Sequence, residues 1–458
     1  MDNKNITVNK IVEICNGKLL SGDENIQVKT YSKDTRTLNK GDMYLGIKGE
    51  KINGNDYIEQ AFINGAIGCI TDENVSEKII NKYKKEKVII KVENTIKAIQ
   101  ELAKYKRSLY NIPVIAVTGS VGKTSTKDII ANVLGQKYKV LKTEGNMNNH
   151  IGLPMTLLKL KDHTAVVVEM GMNHFGEISL LTNIAKPTGC VITNIGTSHI
   201  GNLGSRENIL KAKLEILEGL DKNGFVLINN DNDLLHEWAK KEKRYKIYTY
   251  GLENNSTYMA KKITILENSS EFEINGIKGN VPIGGIHFVY NSVCAFAIGD
   301  ILNVEKEKII KGISEFKLTA KRMDIEIIKN KIKVINDSYN ASYDSMKAAL
   351  EVVNNTSAQR KIAILGDMLE LGEYAKELHE KVGEEVVKNK IDILITIGDN
   401  AKNIANKAKE LKMENVYMFD GIEEAIEYIK KTIKCGDLIL LKASNSMNFS
   451  KILNEIKA

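Results

Sequence analysis

A glycine-rich stretch near residue 120 contains the residue types that bind phosphate groups. In the segment VTGSVGKTSTKDII, residues 117–130, an apolar strand leads into Gly119-Ser120-Val121-Gly122-Lys123-Thr124, and a helix is predicted to follow. Backbone N–H groups in such a loop bind β- and γ-phosphates, while a lysine neutralises charge and a threonine hydroxyl binds Mg²⁺. Val117 stands where the strict GxxxxGK[ST] motif has its first glycine. A glycine-rich helix cap is therefore the alternative.

Two further polar side chains follow apolar segments that are predicted to be strands. Glu169 ends the strand in TAVVVEMG, and His199 follows the strand in CVITNIG by one short loop. Ligands of open α/β sheets bind outside the carboxyl ends of the strands, so Glu169 is a candidate Mg²⁺ ligand and His199 lies on the same rim. A surface glutamate at a strand end, and a histidine that caps a helix or lies in the core, are the alternatives.

A lysine on the predicted inward face of a helix is the fourth candidate. In SRENILKAKLEILEGL, Ile209, Ile216 and Leu220 share one face at helical spacing, and Lys213 lies on that face, whereas Lys211 points away. A buried lysine is costly unless its amine reaches water along its own stem or is modified. A lysine carbamylated by CO₂ would become an anionic metal ligand.

Strand-like and helix-like segments alternate along most of the 458 residues, which predicts an α/β fold with parallel sheets. We expect three domains, at residues 1–110, 111–318 and 319–458. The third contains repeated strand–helix units, with strands in RKIAILGD, DILITIGD, NVYMFD and DLILLKAS. Its pattern is Rossmann-like, but no GxGxxG follows a strand, so no dinucleotide is implied.

Composition restricts the class of protein further. The net charge is +7, but Lys and Glu alternate, so a nucleic-acid-binding surface is not indicated. The five cysteines are far apart and have no zinc-site spacing, which predicts buried thiols in a reducing compartment. No apolar segment approaches the length of a membrane span, about 20 residues. We expect a cytoplasmic protein.

Taken together, these motifs resemble those of the Mur ligases, the ATP-dependent amide-bond enzymes of peptidoglycan precursor synthesis. The phosphate loop has the family's TGxxGKT form, which accounts for Val117. The resemblance is closest to the type that adds D-alanyl-D-alanine, and it covers most of the chain in the expected order. The segments that carry it are EGNMNNHIGLPMTLL, EMGMNHFGEIS, ITNIGTSHIGNLGSRENILKAKLEI, INDSYNASYDSMKAAL and ILGDMLELGEYAKELHEKVG.

The resemblance implies a monomeric three-domain enzyme that joins D-alanyl-D-alanine to UDP-N-acetylmuramoyl-tripeptide through an acyl phosphate. The N-terminal domain would bind the UDP-sugar, the central P-loop domain would bind ATP, and the C-terminal Rossmann-like domain would close over both. The cofactors implied are two Mg²⁺ ions and a carbamate on Lys213. The sequence leaves open whether the third peptide residue is lysine or diaminopimelate.

The resemblance also implies a role for each site residue. Lys123 and Arg322 would address phosphate, and Thr124, Glu169, His199 and carbamylated Lys213 would bind Mg²⁺. Asn291 would contact adenine and Asp337 the ribose. The implied ATP site includes the loop residues Gly119, Ser120, Val121, Gly122, Lys123, Thr124 and Ser125. The implied UDP-substrate contacts are Thr35, Arg36, Asn53, Asn148, Asn149 and Ser198.

The chain departs from the family pattern at several of these places. Thr35 replaces a serine, and Asn53 and Asn55 replace the aspartate and histidine of DGHD. Ser342-Tyr343 replaces Asn-Pro, and Lys442-Ala443-Ser444-Asn445 replaces KGSR. The alternatives are another Mur-type or folylpolyglutamate-type ligase, a P-loop kinase or NTPase, and a scaffold with a degenerate loop. The DNPR segment of the diaminopimelate-adding type is absent, and GDMLELG occurs in that region.

Overall fold

The computed structural model describes residues 4–84, 86–317 and 323–457. We refer to residues 4–110 as the N-terminal part, 111–317 as the central part and 323–457 as the C-terminal part. Each part has a sheet of its own with helices packed against it. The α/β class predicted from the alternating segments is confirmed.

The N-terminal part is built on a mixed sheet of strand order β2-β7-β6-β5-β4, with β1 and β3 paired separately. Its strands are β1 (Ile6–Thr7), β2 (Lys18–Ser21), β3 (Gln27–Val28), β4 (Tyr31–Ser32), β5 (Met43–Gly46), β6 (Gly68–Thr71) and β7 (Val88–Lys91). Its helices are α1 (Val8–Ile14), α2 (Ile58–Ile63), α3 (Glu77–Tyr83) and α4 (Thr95–Ser108), with a 3₁₀ turn at Gly54–Tyr57. The long amphipathic α4 ends this part and packs against the central part.

The central part has a sheet of order β16-β15-β14-β13-β12-β11-β8-β10-β9, parallel from β9 to β14. Its strands are β8 (Val114–Thr118), β9 (Val140–Lys142), β10 (Ala165–Glu169), β11 (Gly189–Ile192), β12 (Phe225–Asn229), β13 (Lys246–Gly251), β14 (Tyr258–Ile265), β15 (Ser270–Ile274) and β16 (Ile277–Val281). Its helices are α5 (Lys123–Gly135), α6 (Gly152–Leu158), α7 (Glu177–Ala185), α8 (Ile200–Leu203), α9 (Arg206–Leu214), α10 (Asp233–Lys241), α11 (Ile286–Ile301) and α12 (Lys306–Ser314). Because β8 lies between β10 and β11, the loops after these strands meet at one edge of the sheet.

The C-terminal part has a sheet of order β17-β18-β22-β19-β20-β21, in which β17 alone among the described strands is antiparallel to its neighbour. Its strands are β17 (Asp324–Ile328), β18 (Ile332–Asn336), β19 (Arg360–Gly366), β20 (Ile393–Ile397), β21 (Val416–Phe419) and β22 (Asp437–Lys442). Its helices are α13 (Tyr343–Asn355), α14 (Ala375–Lys388), α15 (Ala401–Glu410), α16 (Ile422–Thr432) and α17 (Ser450–Lys457). The predicted strand–helix alternation of this part is confirmed.

Two expectations about local structure need correction. The α-helix predicted through Leu220 ends at Leu214 and continues as a 3₁₀ helix over Glu215–Gly219, which leaves Leu220 half-buried. Buried thiols are present at Cys69, Cys190 and Cys294, but Cys435 is exposed, because it lies in the turn before β22. No helix in the described ranges is long and apolar enough to cross a membrane.

A buried arginine joins the N-terminal and central parts. Arg107, near the end of α4, donates from Nε to Ala185 O at 2.9 Å and from Nη2 to Lys186 O at 3.1 Å, at the end of α7. Its Nη1 donates to Tyr110 O at 2.6 Å. These carbonyls depend on the guanidinium, since Arg107 is buried and hydrogen bonds to a charged group are stronger than neutral ones.

We expect Arg107→Met to lower the stability of the protein by about 2–3 kcal/mol, because three carbonyl groups lose a charged donor. The exposed Lys104, on the same helix, provides the control Lys104→Met. Thermal unfolding followed by circular dichroism would compare the midpoints of the two variants. Equal midpoints would contradict a structural role for the Arg107 contacts.

Candidate functional site

A cavity of about 1040 Å³ lies between the central and C-terminal parts. Its central wall contains the loops after β8, β10 and β11, and its opposite wall contains residues of the C-terminal part between Asp337 and Glu351, together with Lys442. The cavity is therefore lined by segments that lie more than 150 positions apart in the sequence. Its polar side chains include most of the central residues that sequence analysis singled out.

The loop after β8 forms one end of the cavity. Its backbone is tightly packed, because a Cβ atom on Gly119, at φ 154°, would lie 1.9 Å from Thr193 Oγ1. Asn194 Oδ1 accepts hydrogen bonds from the N–H groups of Ser120 at 3.1 Å and Val121 at 3.0 Å. The first N–H groups of α5 have no intrahelical acceptor, so this helix N-terminus favours an anion such as phosphate.

Lys123 begins α5 and lines the cavity. Its Nζ donates to Gly119 O at 2.8 Å and to Ser120 O at 3.3 Å, so the ammonium lies over the loop. The apolar residues predicted on the inner face of this helix, Ile129, Ile130, Val133 and Leu134, are buried. The strand–loop–helix arrangement predicted for residues 113–134 is confirmed.

Glu169 is buried at the end of β10 and contacts the phosphate loop directly. Its Oε2 accepts a hydrogen bond from Thr124 Oγ1 at 2.9 Å, and its Oε1 accepts one from Asn148 Nδ2 at 2.8 Å. A buried carboxylate must be paired or bound to a metal ion. Thr124 and Glu169 therefore bring together oxygen atoms of the kind that Mg²⁺ prefers as ligands.

His199 lies on the loop after β11, where it precedes α8 and lines the cavity. Its Nδ1 is 2.5 Å from Glu370 Oε2 of the C-terminal part, and this hydrogen bond lowers the pKa of Glu370. Ser198, next to it, donates from Oγ to Ser120 O at 3.3 Å. The loop after β11 thus contacts both the phosphate loop and the C-terminal part.

Lys213 is buried on α9 and faces inward with Ile209 and Ile216, whereas Lys211 is exposed. The helical spacing predicted this difference between the two lysines. Burial, and next the charge of Lys123, hold the pKa of Lys213 well below its usual range. A buried neutral amine is the form of lysine that can react with CO₂.

The two side chains to which sequence analysis assigned the nucleoside belong to different parts of the chain. Asn291, on α11, accepts a hydrogen bond through Oδ1 from Thr126 Oγ1 at 3.0 Å. Asp337, after β18, accepts one through Oδ1 from Met323 N at 3.2 Å, and its Oδ2 is 2.5 Å from Lys442 Nζ. Asn291 and Asp337 both line the cavity.

Several lining residues were missed in the sequence. His287 lies one helical turn before Asn291, and burial lowers the pKa of this histidine to about 4. Asn194 lies two residues after the end of β11, and Asp344 and Lys442 belong to segments to which the sequence analysis gave no role. The spacing of four residues between His287 and Asn291 could have predicted that both face the same side of one helix. The position of Asp344 could not be predicted in this way, because its hydrogen-bond partner Thr197 is 147 positions away.

The predicted UDP-substrate residues do not all meet at the cavity. Asn148, Asn149 and Ser198 line it, although Asn148 is bonded to Glu169 and Asn149 Oδ1 accepts from Gly152 N at 2.8 Å. Thr35, Arg36 and Asn53 lie in the N-terminal part and are not among its lining residues. Asn53 Nδ2 donates to Glu73 Oε1 at 3.0 Å, and Arg36 pairs with Asp34 at 2.7 Å. Arg322 lies outside the described residues.

The His, Asp and Glu side chains that line this cavity are spread over its walls. Within the described ranges, no group of three or more His, Cys, Asp or Glu side chains could hold a metal ion by itself. This arrangement fits Mg²⁺, which usually retains several waters and is bound by one or two carboxylates together with substrate phosphates. It does not fit a structural zinc site, which needs four protein ligands.

The fold and the cavity define a P-loop nucleotide-binding enzyme whose site is completed by a second, Rossmann-like part. Comparison with models of known protein families supports this class. Residues 27–107 match "Mur ligase family, catalytic domain", residues 117–299 match "Mur ligase middle domain", and residues 321–445 match "Mur ligase, glutamate ligase domain". The chain belongs to the Mur ligase family.

Several relatives that match along nearly the whole chain are named UDP-N-acetylmuramoyl-tripeptide–D-alanyl-D-alanine ligase. The chain is 37% identical to that of Bacillus subtilis (strain 168), over 98% of both proteins. It is 34% identical to that of a Synechocystis strain, over 98% of this chain and 97% of the relative. Among solved structures, MurF from Acinetobacter baumannii has a TM-score of 0.89 at 27% identity, with 100% of both chains covered. MurF ligase from Thermotoga maritima in complex with ADP has a TM-score of 0.80 at 26% identity, covering 94% of this chain and 97% of the other.

We expect Lys123→Ala to reduce ATP-dependent turnover by about 100-fold or more, which is the loss typical of removing one preorganised charge-stabilising group. The fold should be retained, because the ammonium contacts loop carbonyls and lines the cavity. Circular dichroism and a phosphate-release assay would measure both properties. Substantial turnover in a folded variant would contradict the phosphate-binding role of this loop.

Proposed function

We propose that this chain is the ligase that joins D-alanyl-D-alanine to UDP-N-acetylmuramoyl-tripeptide, with ATP as the energy source, in peptidoglycan precursor synthesis. Its full-length similarity to ligases of that name supports the substrates. The observation that carries the proposal is the cavity, in which Lys123, Glu169 and His199 face polar residues of the C-terminal part. An ATP site with a second wall from the C-terminal part suits the formation of a reactive intermediate that water would destroy.

The reaction requires the activation of a carboxylate, which is a poor electrophile at neutral pH. The terminal carboxylate of the tripeptide attacks the γ-phosphate of ATP, and ADP leaves, which produces an acyl phosphate. The free amine of D-alanyl-D-alanine then attacks the acyl carbon, loses a proton, and displaces inorganic phosphate from the tetrahedral intermediate. Two anions must approach one another in the first step, so Lys123 and the N-terminus of α5 lower the barrier by neutralising charge.

Two Mg²⁺ ions fit the proposal. Thr124 and Glu169 would hold one, and His199 and a carbamate on Lys213 would hold the other. When bound, Mg²⁺ neutralises phosphate charge and polarises the transferred phosphoryl group. The chain's own contribution is to place Thr124, Glu169 and His199 along the cavity and to keep Glu169 oriented through Thr124 and Asn148. Lys213 is buried on α9 and is not among the cavity-lining residues.

The remaining assignments concern recognition. Asn291 would bind adenine, Asp337 the ribose, and Arg322 the phosphates. The UDP moiety would bind the N-terminal part at Thr35, Arg36 and Asn53, and the muramoyl-peptide would extend toward Asn148, Asn149 and Ser198. In the proposed domain organisation, residues 1–110 bind the UDP moiety and residues 111–318 bind ATP. Residues 319–458 form the Rossmann-like domain that closes over both. The use of ATP supports a cytoplasmic location, and we propose that the protein acts as a monomer.

A P-loop kinase or NTPase would release or transfer phosphate without an amine. If the protein is a ligase, D-alanyl-D-alanine should stimulate phosphate release in the presence of UDP-N-acetylmuramoyl-tripeptide, and the nucleotide product should gain the mass of the dipeptide. A phosphate-release assay combined with mass spectrometry measures both. Equal release without the dipeptide, and no mass gain, would favour the NTPase.

The two lysines of α9 provide a matched test of the carbamate. Lys213→Ala should lower ligation by about 100-fold or more, because an anionic ligand at the phosphoryl site is lost. A short carboxylic acid added to the medium should restore part of the activity. Lys211→Ala, on the exposed face, should change little. An inactive Lys211 variant together with an active Lys213 variant would contradict the assignment.

A further inference from the structure

Two loops from different parts of the chain meet beside the proposed metal site. The His199 loop comprises residues 196–204, after β11, and the Glu370 loop comprises residues 367–374, after β19. His199 Nδ1 and Glu370 Oε2 are 2.5 Å apart. Both residues have left-handed backbone conformations, with φ 64° at His199 and 62° at Glu370. Such conformations are costly for residues other than glycine and cluster at functional sites.

The approach of the two loops is close at the backbone as well. Gly201 N donates to Glu370 O at 3.0 Å, and Tyr374 Oη donates to Gly204 O at 2.7 Å. A Cβ atom on Gly201 would lie 2.5 Å from Gly372 N, so a larger residue there would separate the loops. Nearby, Asp344 Oδ2 accepts hydrogen bonds from Thr197 N at 2.9 Å and Thr197 Oγ1 at 3.1 Å. The position of His199 therefore depends on the docked C-terminal part.

The His199–Glu370 contact also decides which imidazole nitrogen is available. An ionised carboxylate only accepts hydrogen bonds, so His199 Nδ1 must carry a proton and donate it to Glu370. The Nε2 atom then holds the lone pair that can bind a metal ion. A carboxylate that orients a metal-binding histidine in this way commonly changes metal affinity by about 10–100-fold.

We propose that Glu370 is a positioning residue, which holds His199 as the Nδ1–H tautomer and thereby completes the second Mg²⁺ site when the C-terminal part docks. The proposal rests on the metal-binding role of His199 in the proposed function. It links docking to catalysis, because Glu370 belongs to the C-terminal part and His199 to the central part. An open enzyme would then bind nucleotide but hold the second ion weakly.

The first test uses the metal-free protein labelled with ¹⁵N-histidine, with His199→Asn to assign the resonance. The wild type should show His199 as the Nδ1–H tautomer. Glu370→Ala should shift it toward the Nε2–H tautomer, and Glu370→Gln, whose amide oxygen can still accept, should have an intermediate effect. An unchanged tautomer in a Glu370→Ala variant with wild-type circular dichroism would overturn the proposal.

The second test measures Mn²⁺ binding by electron paramagnetic resonance with a non-hydrolysable ATP analogue. Glu370→Ala should weaken the second Mn²⁺ by about 10-fold or more while the analogue binds as in the wild type. Glu373→Gln removes an exposed carboxylate from the same loop, and Tyr374→Phe removes a loop–loop hydrogen bond that does not involve His199. Both controls should bind Mn²⁺ as the wild type does.

The possible outcomes distinguish a failure of this proposal from a failure of the proposed function on which it rests. If Tyr374→Phe weakens the second ion as much as Glu370→Ala, general docking and not imidazole orientation is responsible, and the proposal is wrong. If the wild type forms no UDP-linked pentapeptide, the proposed function fails, whatever the histidine tautomer. A wild type that ligates, with Glu370→Ala equal to it in tautomer and Mn²⁺ binding, would overturn the positioning role alone.

Discussion

The parallel pairing of β8 with β10 on one side and β11 on the other is the constraint on which the rest of the site depends. Parallel strands end at the same edge of a sheet, so their carboxyl-terminal loops must meet there. Lys123, Glu169 and His199 follow these three strands and come together for that reason. Long apolar runs keep the strands buried on both faces, and only the ends of the strands can hold charge.

Burial then determines how that charge is arranged. Glu169 is tolerated in the interior because Thr124 and Asn148 donate to both of its oxygens. Lys213, in contrast, is buried close to a like charge, that of Lys123. Burial and this positive charge both lower the pKa of Lys213. Under the proposed function, the negative charges of a phosphate and of a carbamate on Lys213 would reduce the repulsion between these two lysines.

The C-terminal part contributes residues to the cavity and also contacts the loops of the central part. It lines the cavity through Asp337, Asp344 and Lys442, and it holds the loop after β11 through Asp344 and Glu370. Under the proposals above, docking would both cover the cavity and orient groups of the central part. A reaction that proceeds through an acyl phosphate would benefit from this coupling, because the activated intermediate must be kept from water.

The sequence by itself was sufficient for the α/β class, the phosphate loop, Glu169 at a strand end and the inward face of Lys213. Each of these follows from local periodicity and from residue types within about 20 positions. It did not show that Asn148 bonds Glu169, that His287 and Lys442 line the cavity, or that Thr35, Arg36 and Asn53 lie away from it. It also extended the α-helix after residue 206 too far, since the change to a 3₁₀ helix at Glu215 has no local signal.

The pairing of His199 with Glu370 joins residues 171 positions apart. Such contacts are decided by how separate sheets dock, and docking depends on the summed packing of many side chains, which no short segment encodes.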